Sequence, residues 1–140
     1  MSPFQKYFKE TVTKRYSDFE GRARRSEYWY FTLFYTIIYL VIYSGTLAGI
    51  LGDIPIIGGL FGLLTLVFAL GMLVPSLAVA VRRLHDTGKS GWLLLIGLIP
   101  LVGGIILLVF LCTDSTPGAN AYGPNPKELQ EDDLVGNLID

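Results

Sequence analysis

Long stretches of this chain are apolar on every side, and polar residues are confined to their ends. Between Tyr28 and Val81 the only charged residue is Asp53, and between Trp92 and Cys112 there is none. A surface helix of a soluble protein carries one apolar stripe and one polar face, and no polar face repeats here. Strands of a membrane barrel are shorter and alternate in hydrophobicity. A helix needs roughly 20 apolar residues to cross about 30 Å of hydrocarbon. The pattern therefore predicts an all-α membrane protein, a three-helix transmembrane bundle with spans at about 28–51, 56–81 and 92–112.

The third stretch holds 15 Leu, Ile, Val or Phe residues, but Pro100 and Gly103-Gly104 interrupt it. Helix breakers are tolerated in a span when neighbours satisfy the freed backbone groups, so a kinked single span is expected. A re-entrant hairpin is the alternative, and it would return the tail to the side the segment came from. In the first span Tyr35, Tyr39 and Tyr43 recur every four residues. A phenol in hydrocarbon needs a partner, so this stripe is expected to face the bundle as packing. In the second, Gly58 and Gly62 form a small-xxx-small pair that allows close helix approach. Gly71, Pro75 and Ser76 predict a kink further on.

Outside the spans, residues 3–16 read as an N-terminal amphipathic interfacial helix. Pro3 suits a first helical position, and Phe4, Tyr7, Phe8 and Val12 share one face, away from Lys6, Lys9, Glu10 and Lys14. Such a helix lies in the headgroup region or packs on the protein itself. Ser17 to Gly21 is a turn. Residues 113–126 are rich in turn formers, and 127–140 form an acidic tail expected to be irregular and mobile. Residues 1–126 are read as one membrane domain.

Charge then orients the chain. Residues 1–27 carry seven Lys or Arg against four acids, and segment 82–91 carries Arg82, Arg83 and Lys89 against Asp86. The tail from 113 carries only Lys127 against six acids. The positive-inside rule places the N-terminus and the second loop in the cytoplasm and, with three spans, the C-terminus outside. The charged fraction, 16%, is well below the roughly 25% of a soluble domain. A net charge of −1 argues against nucleic acid as a partner. The first apolar run exceeds the roughly 7–15 residues of a signal-peptide core and reads as a retained anchor. One cysteine, Cys112, allows neither an intrachain disulfide nor a multi-cysteine metal site.

Two polar clusters carry the candidate chemistry. Arg22, Arg24, Arg25 and Glu27 precede the first span. Basic side chains there can hold anionic lipid headgroups at about 1 kcal/mol each, or simply mark topology. Arg82, Arg83, His85, Asp86 and Lys89 follow the second. Gly88-Lys89-Ser90 matches the end of a phosphate-binding loop, but that motif needs a glycine five residues earlier, where Arg83 stands. His85 beside Asp86 can move a proton, yet one histidine is a poor start for a zinc site with three protein ligands. The plainer reading is a cap-and-turn cluster in which Asp86 and the arginines pair across to Glu27. No catalytic, cofactor-binding or metal residue is assigned.

Three blocks, in order, resemble the bacterial inner-membrane family called domain of unknown function 805. They are Phe19-Glu20-Gly21-Arg22-Ala23-Arg24-Arg25-Ser26-Glu27-Tyr28-Trp29; Arg82 to Trp92 with Leu98-Ile99-Pro100; and Pro117-Gly118 through Asn120, Tyr122, Gly123, Asn125 and Pro126. The resemblance implies a small helical protein of the bacterial cytoplasmic membrane and brings no activity, cofactor or catalytic residue with it. Lipids, chiefly anionic headgroups, and membrane-protein partners or a homo-oligomer are the expected contacts of a non-enzymatic protein. An oligomeric transporter or channel subunit, and a membrane enzyme using His85 and Asp86, are the alternatives. A re-entrant third segment would bring all three blocks to one side, where they could form a joint site.

Overall fold

A computed structural model of the chain describes residues 1–139; Asp140, the last acid of the tail, lies outside the described residues. The regular elements are helical. They are α1 (a π-helical stretch Phe4–Lys9 running into Glu10–Thr13), α2 (Arg25–Leu51), α3 (Pro55–Gly71), α4 (Leu73–Asp86), a 3-10 segment Gly91–Leu98, α5 (Gly103–Cys112) and α6 (Pro126–Ile139). The chain divides into two compact units: Met1–Tyr16 with Tyr30–Ser76, and Ser17–Trp29 with Leu77–Asp140. Two helices are long and apolar enough to cross a membrane, Arg25–Leu51 and Pro55–Asp86, whereas Gly103–Cys112 is shorter. Along them Leu40, Val41, Leu60, Leu63, Val67 and Leu70 stand exposed. A soluble monomer rarely shows so extended an apolar surface; hydrocarbon is the solvent that suits it.

In the first unit α2 and α3 meet through glycines. A Cβ on Gly49 would overlap the backbone of Gly58, and one on Gly45 would overlap the Phe61 ring. Gly62 has only the Thr46 methyl nearby, at 3.8 Å, so close approach centres on Gly49 and Gly58. The tyrosine stripe is a ladder of rings, with Tyr35–Tyr39 centroids 6.2 Å apart, Tyr39–Tyr43 5.9 Å, and Tyr35 stacked on Phe68 of α3 at 5.5 Å. Tyr43, at the far end, is exposed. The aromatic face of α1 is spent on α2: Phe8 stacks on Phe31 at 5.5 Å, Tyr7 on Tyr30 at 5.3 Å, and Phe4 meets Phe34 edge-on at 5.2 Å.

The expected kink is a one-residue interruption at Met72, between α3 and α4. Pro75 has no N–H to offer the carbonyl four residues back. That carbonyl, on Gly71, instead accepts the Tyr16 hydroxyl at 2.6 Å. A distant side chain thus satisfies the backbone group that proline frees.

In the second unit the stretch 92–112 departs from the single span expected. It is a hairpin: the 3-10 segment turns at Pro100-Leu101-Val102 and α5 folds back on it. Leu101 takes φ +68°, a backbone region costly for a branched side chain. A Cβ on Gly103 would overlap the Ile96 carbonyl, so only glycine lets the two arms approach so closely. Both arms end beside the C-terminal turns of α4. A Cβ on Gly91 would lie 2.7 Å from Val81 Cγ1, and the Leu111 carbonyl accepts Arg83 Nε at 2.9 Å.

The tail also differs from expectation. Residues 113–125 are irregular, with one bridge between Asn120 and Gly123, but Pro126–Ile139 is helical. Asn125 caps it, its Oδ1 accepting the Lys127 N–H at 3.0 Å; asparagine is a favoured N-cap, Pro126 is preset for the next position, and Glu128 opposes the helix dipole.

Candidate functional site

The site lies wholly in the second unit, where α4 ends. Gly88, at φ +75°, terminates α4 by a Schellman motif: Lys89 N–H reaches the Leu84 carbonyl at 3.0 Å and Gly88 N–H the His85 carbonyl at 2.9 Å. Gly88-Lys89-Ser90 is thereby accounted for as a helix stop and the following cap, since Ser90 Oγ accepts the Trp92 N–H.

Asp86, fully buried, is the hub of the cluster. Its Oδ1 accepts Arg22 Nε at 2.9 Å; its Oδ2 accepts Arg83 Nη1 at 2.6 Å and the Ser115 hydroxyl. Arg22 spends its other N–H groups on backbone carbonyls: Nη1 on Gly118 at 2.8 Å and Nη2 on Thr116 at 2.8 Å, both after α5, and Nη2 also on the Asp86 carbonyl that ends α4, at 3.1 Å. Arg83 donates to the Leu111 and Thr113 carbonyls, which close α5, and to the Ala23 carbonyl at 3.1 Å. Two buried guanidinium groups thus face one carboxylate, and the carbonyl-rich C-terminus of α5 supplies further negative potential. Buried charge is tolerable when paired and fully hydrogen-bonded, and both conditions hold for this trio.

The remaining sequence candidates sort around that hub. Arg82 pairs with Glu27, while its Nε and Nη2 are buried without a hydrogen-bond partner among the described residues. Arg24 donates to Gln130 of α6, and Arg25 lies 3.5 Å from Asp114. Lys89 Nζ sits 5.0 Å from the centre of the Phe110 ring, a cation–π distance. His85 Nδ1 is 3.0 Å from the Gly21 carbonyl, and its ring lies flat on Tyr122, centroids 3.8 Å apart. Tyr35, Tyr39, Tyr43, Gly58 and Gly62 belong to the other unit and take no part. Arg22, expected at a headgroup surface, is inside. Glu27 takes Arg82 from across the loop, while Asp86 serves Arg22 and Arg83.

Outside the cluster, an exposed Asp114 accepts Lys127 Nζ at 2.8 Å. That bond and the Ser115 N–H hold its carboxyl below the ordinary carboxylate range. Among the described residues no group of three or more His, Cys, Asp or Glu is placed to hold a metal.

Beside the cluster opens a cavity of about 460 Å³, lined by Phe19, Leu77, Val81, His85, Trp92 and Tyr122 among others. Leu77, Val81 and His85 are four residues apart on one face of α4, so that wall runs from apolar to polar over about 12 Å at 1.5 Å per residue. The groove and the acceptors at Thr116 and Gly118 were absent from the sequence reading. A Leu-Val-His series at helical spacing, continuing from a span into a polar loop, is the signal that points to the groove.

Residues 16–124 match the family described as "Protein of unknown function (DUF805)", and this range contains the cluster and the groove. The chain belongs to that family. It is 43% identical over 118 residues to the inner membrane protein YhaI of Escherichia coli K12, covering 84% of this chain and 92% of the relative. It is 46% identical over 116 residues to the inner membrane protein YhaH of the same organism, covering 83% and 93%. No solved structure matches. This DUF805 member is thus a helical protein of the bacterial inner membrane, from a family of unknown function. The matched range stops before α6, so the acidic helix lies beyond the part that defines the family.

Proposed function

We propose that this DUF805 protein is a non-enzymatic inner-membrane protein that binds a membrane lipid in the groove beside α4. The groove carries the reading: its volume falls in the range of about 300–1,000 Å³ used for small-molecule binding, with a few polar groups on an apolar wall. Asp86, which an enzyme would need as the partner of His85, is occupied otherwise. Asp86 is enclosed by Arg22, Arg83 and Ser115, and His85 is held by Gly21 and Tyr122. The polar cluster on this reading is a clasp that fixes the groove's walls. Purification in mild detergent, with the lipids retained by wild type and by Leu77→Phe quantified, tests it. Wild type is expected to retain a defined lipid that the groove-filling variant loses; equal retention by both would overturn the reading.

The same reading makes 92–112 a re-entrant hairpin, with both termini cytoplasmic. Its support is that both arms end at α4's C-terminal turns, next to the basic residues that the positive-inside rule keeps in the cytoplasm. The tail's acids do not oppose this, because the rule counts Lys and Arg and gives acids little weight. A Cys112→Ser, Ala119→Cys variant should resist an impermeant thiol reagent in intact cells and react after lysis. Labelling from outside would restore three full spans.

A further inference from the structure

The groove's polar end narrows the choice of lipid. A backbone carbonyl only accepts, so the 3.0 Å contact between His85 Nδ1 and the Gly21 oxygen requires the proton on Nδ1. In the neutral ring this leaves Nε2 as an acceptor, with no hydrogen bond to it among the described residues. Its natural complement is an O–H donor.

Among the described residues no Lys or Arg lines the groove; Arg82, with Nε and Nη2 unpartnered, pairs with Glu27 and lies outside the lining. Arg22 and Arg83 are buried and committed to Asp86 and to backbone carbonyls. Arg24 and Arg25 are engaged by Gln130 and Asp114, and Lys89 by the Phe110 ring. The opposite end of the groove, at Leu77 and Val81, continues into a helix that is apolar and long enough to span the membrane, so an acyl chain can lie along it.

Resting on the lipid-binding reading above, we infer that the groove selects an uncharged lipid with a free hydroxyl, of the diacylglycerol type. The hydroxyl donates to His85 Nε2 beside Tyr122, and one acyl chain lies along Val81 and Leu77.

Trp92, 80% exposed at the groove, is a built-in reporter once Trp29 is changed to Phe. The protein is placed in phosphatidylcholine nanodiscs containing a few mole per cent of a lipid brominated on its acyl chains, and quenching of Trp92 is read. Brominated diacylglycerol should quench beyond its mole fraction and be displaced by the unbrominated lipid. His85→Ala should weaken that enrichment by on the order of three- to tenfold, the value of one hydrogen bond. His85→Gln, which keeps an acceptor oxygen, should retain most of it. Capping the lipid hydroxyl as a methyl ether should act like His85→Ala, and Leu77→Phe should abolish enrichment.

Enrichment of brominated phosphatidylglycerol over diacylglycerol would overturn the selectivity while leaving lipid binding intact. Equal enrichment of the methyl ether would remove the hydroxyl from the argument. No enrichment of any lipid over phosphatidylcholine would defeat the lipid-binding reading as well. Enrichment unaffected by Leu77→Phe would place the binding elsewhere.

Discussion

Replacing Asp86 with alanine should be the most damaging single change in the polar cluster. The carboxylate is fully buried and receives Arg22, Arg83 and Ser115. Its removal leaves two buried guanidinium groups without a counter-charge. Stripping one partner from a buried ion pair costs about 3–5 kcal/mol, because the other charge stays buried. Arg22→Ala should cost less, since Asp86 keeps Arg83 and Ser115, and the double variant should lose less than the two singles combined. Asp114→Ala is the contrast: its pairs with Lys127 and Arg25 are about half exposed, and such pairs are worth at most about 1 kcal/mol. Equilibrium unfolding in detergent, followed by circular dichroism, ranks the four variants. If Asp86→Ala unfolds alongside Asp114→Ala, the cluster does not hold this unit together, and the account of the groove's walls fails with it.

Other expectations follow from single contacts. Gly49→Ala should disrupt α2–α3 packing, whereas Gly62→Ala, with only a methyl 3.8 Å away, should be tolerated; thermal stability of each separates them. Gly103→Ala should open the hairpin, because the new Cβ meets the Ile96 carbonyl, and cysteine crosslinking of Gly97 to Leu107 should then drop. Tyr16→Phe should cost roughly 0.5–1.5 kcal/mol in thermal or denaturant unfolding. It should cost less in a Pro75→Ala background, where the backbone N–H gained at that position can take the Gly71 carbonyl. Because the Asp114 carboxyl is held below its ordinary range, its support of α6 is full above the unfolded-state value. It is lost as pH falls through the folded value, so hydrogen exchange in residues 126–138 should quicken in acid.

The helical membrane class was legible because charge is absent over long stretches, a signal that needs no partner. The tyrosine ladder and the interruption near Pro75 were legible for the same reason, since each depends on one helix's own periodicity or chemistry. What the sequence hid depends on which distant residues meet. Gly58 could be named, but Gly49, which makes it matter, is found only once the α2–α3 register is known. Fifteen large apolar residues in 92–112 gave a strong span signal, and hydropathy alone does not reveal that Gly103 sits against Ile96. Arg22 and Asp86 lie 64 residues apart, and nearby acids made Glu27 an equally reasonable partner. The acidity of 127–140 suggested disorder, while the Asn125-Pro126 start, a local capping signal, was the better guide.

The path of Arg22 through the clasp also sets an order of assembly. Its acceptors at Thr116 and Gly118 leave the ribosome long after Arg22 and the first apolar helix. Until they emerge, the guanidinium belongs in water or among headgroups, and α5, about 15 Å long at 1.5 Å per residue, reaches only partway across a bilayer alone. On the re-entrant course proposed above, the hairpin is expected to settle into the membrane last, drawn in as the clasp closes, and a chain stopped before residue 116 is expected to leave it outside.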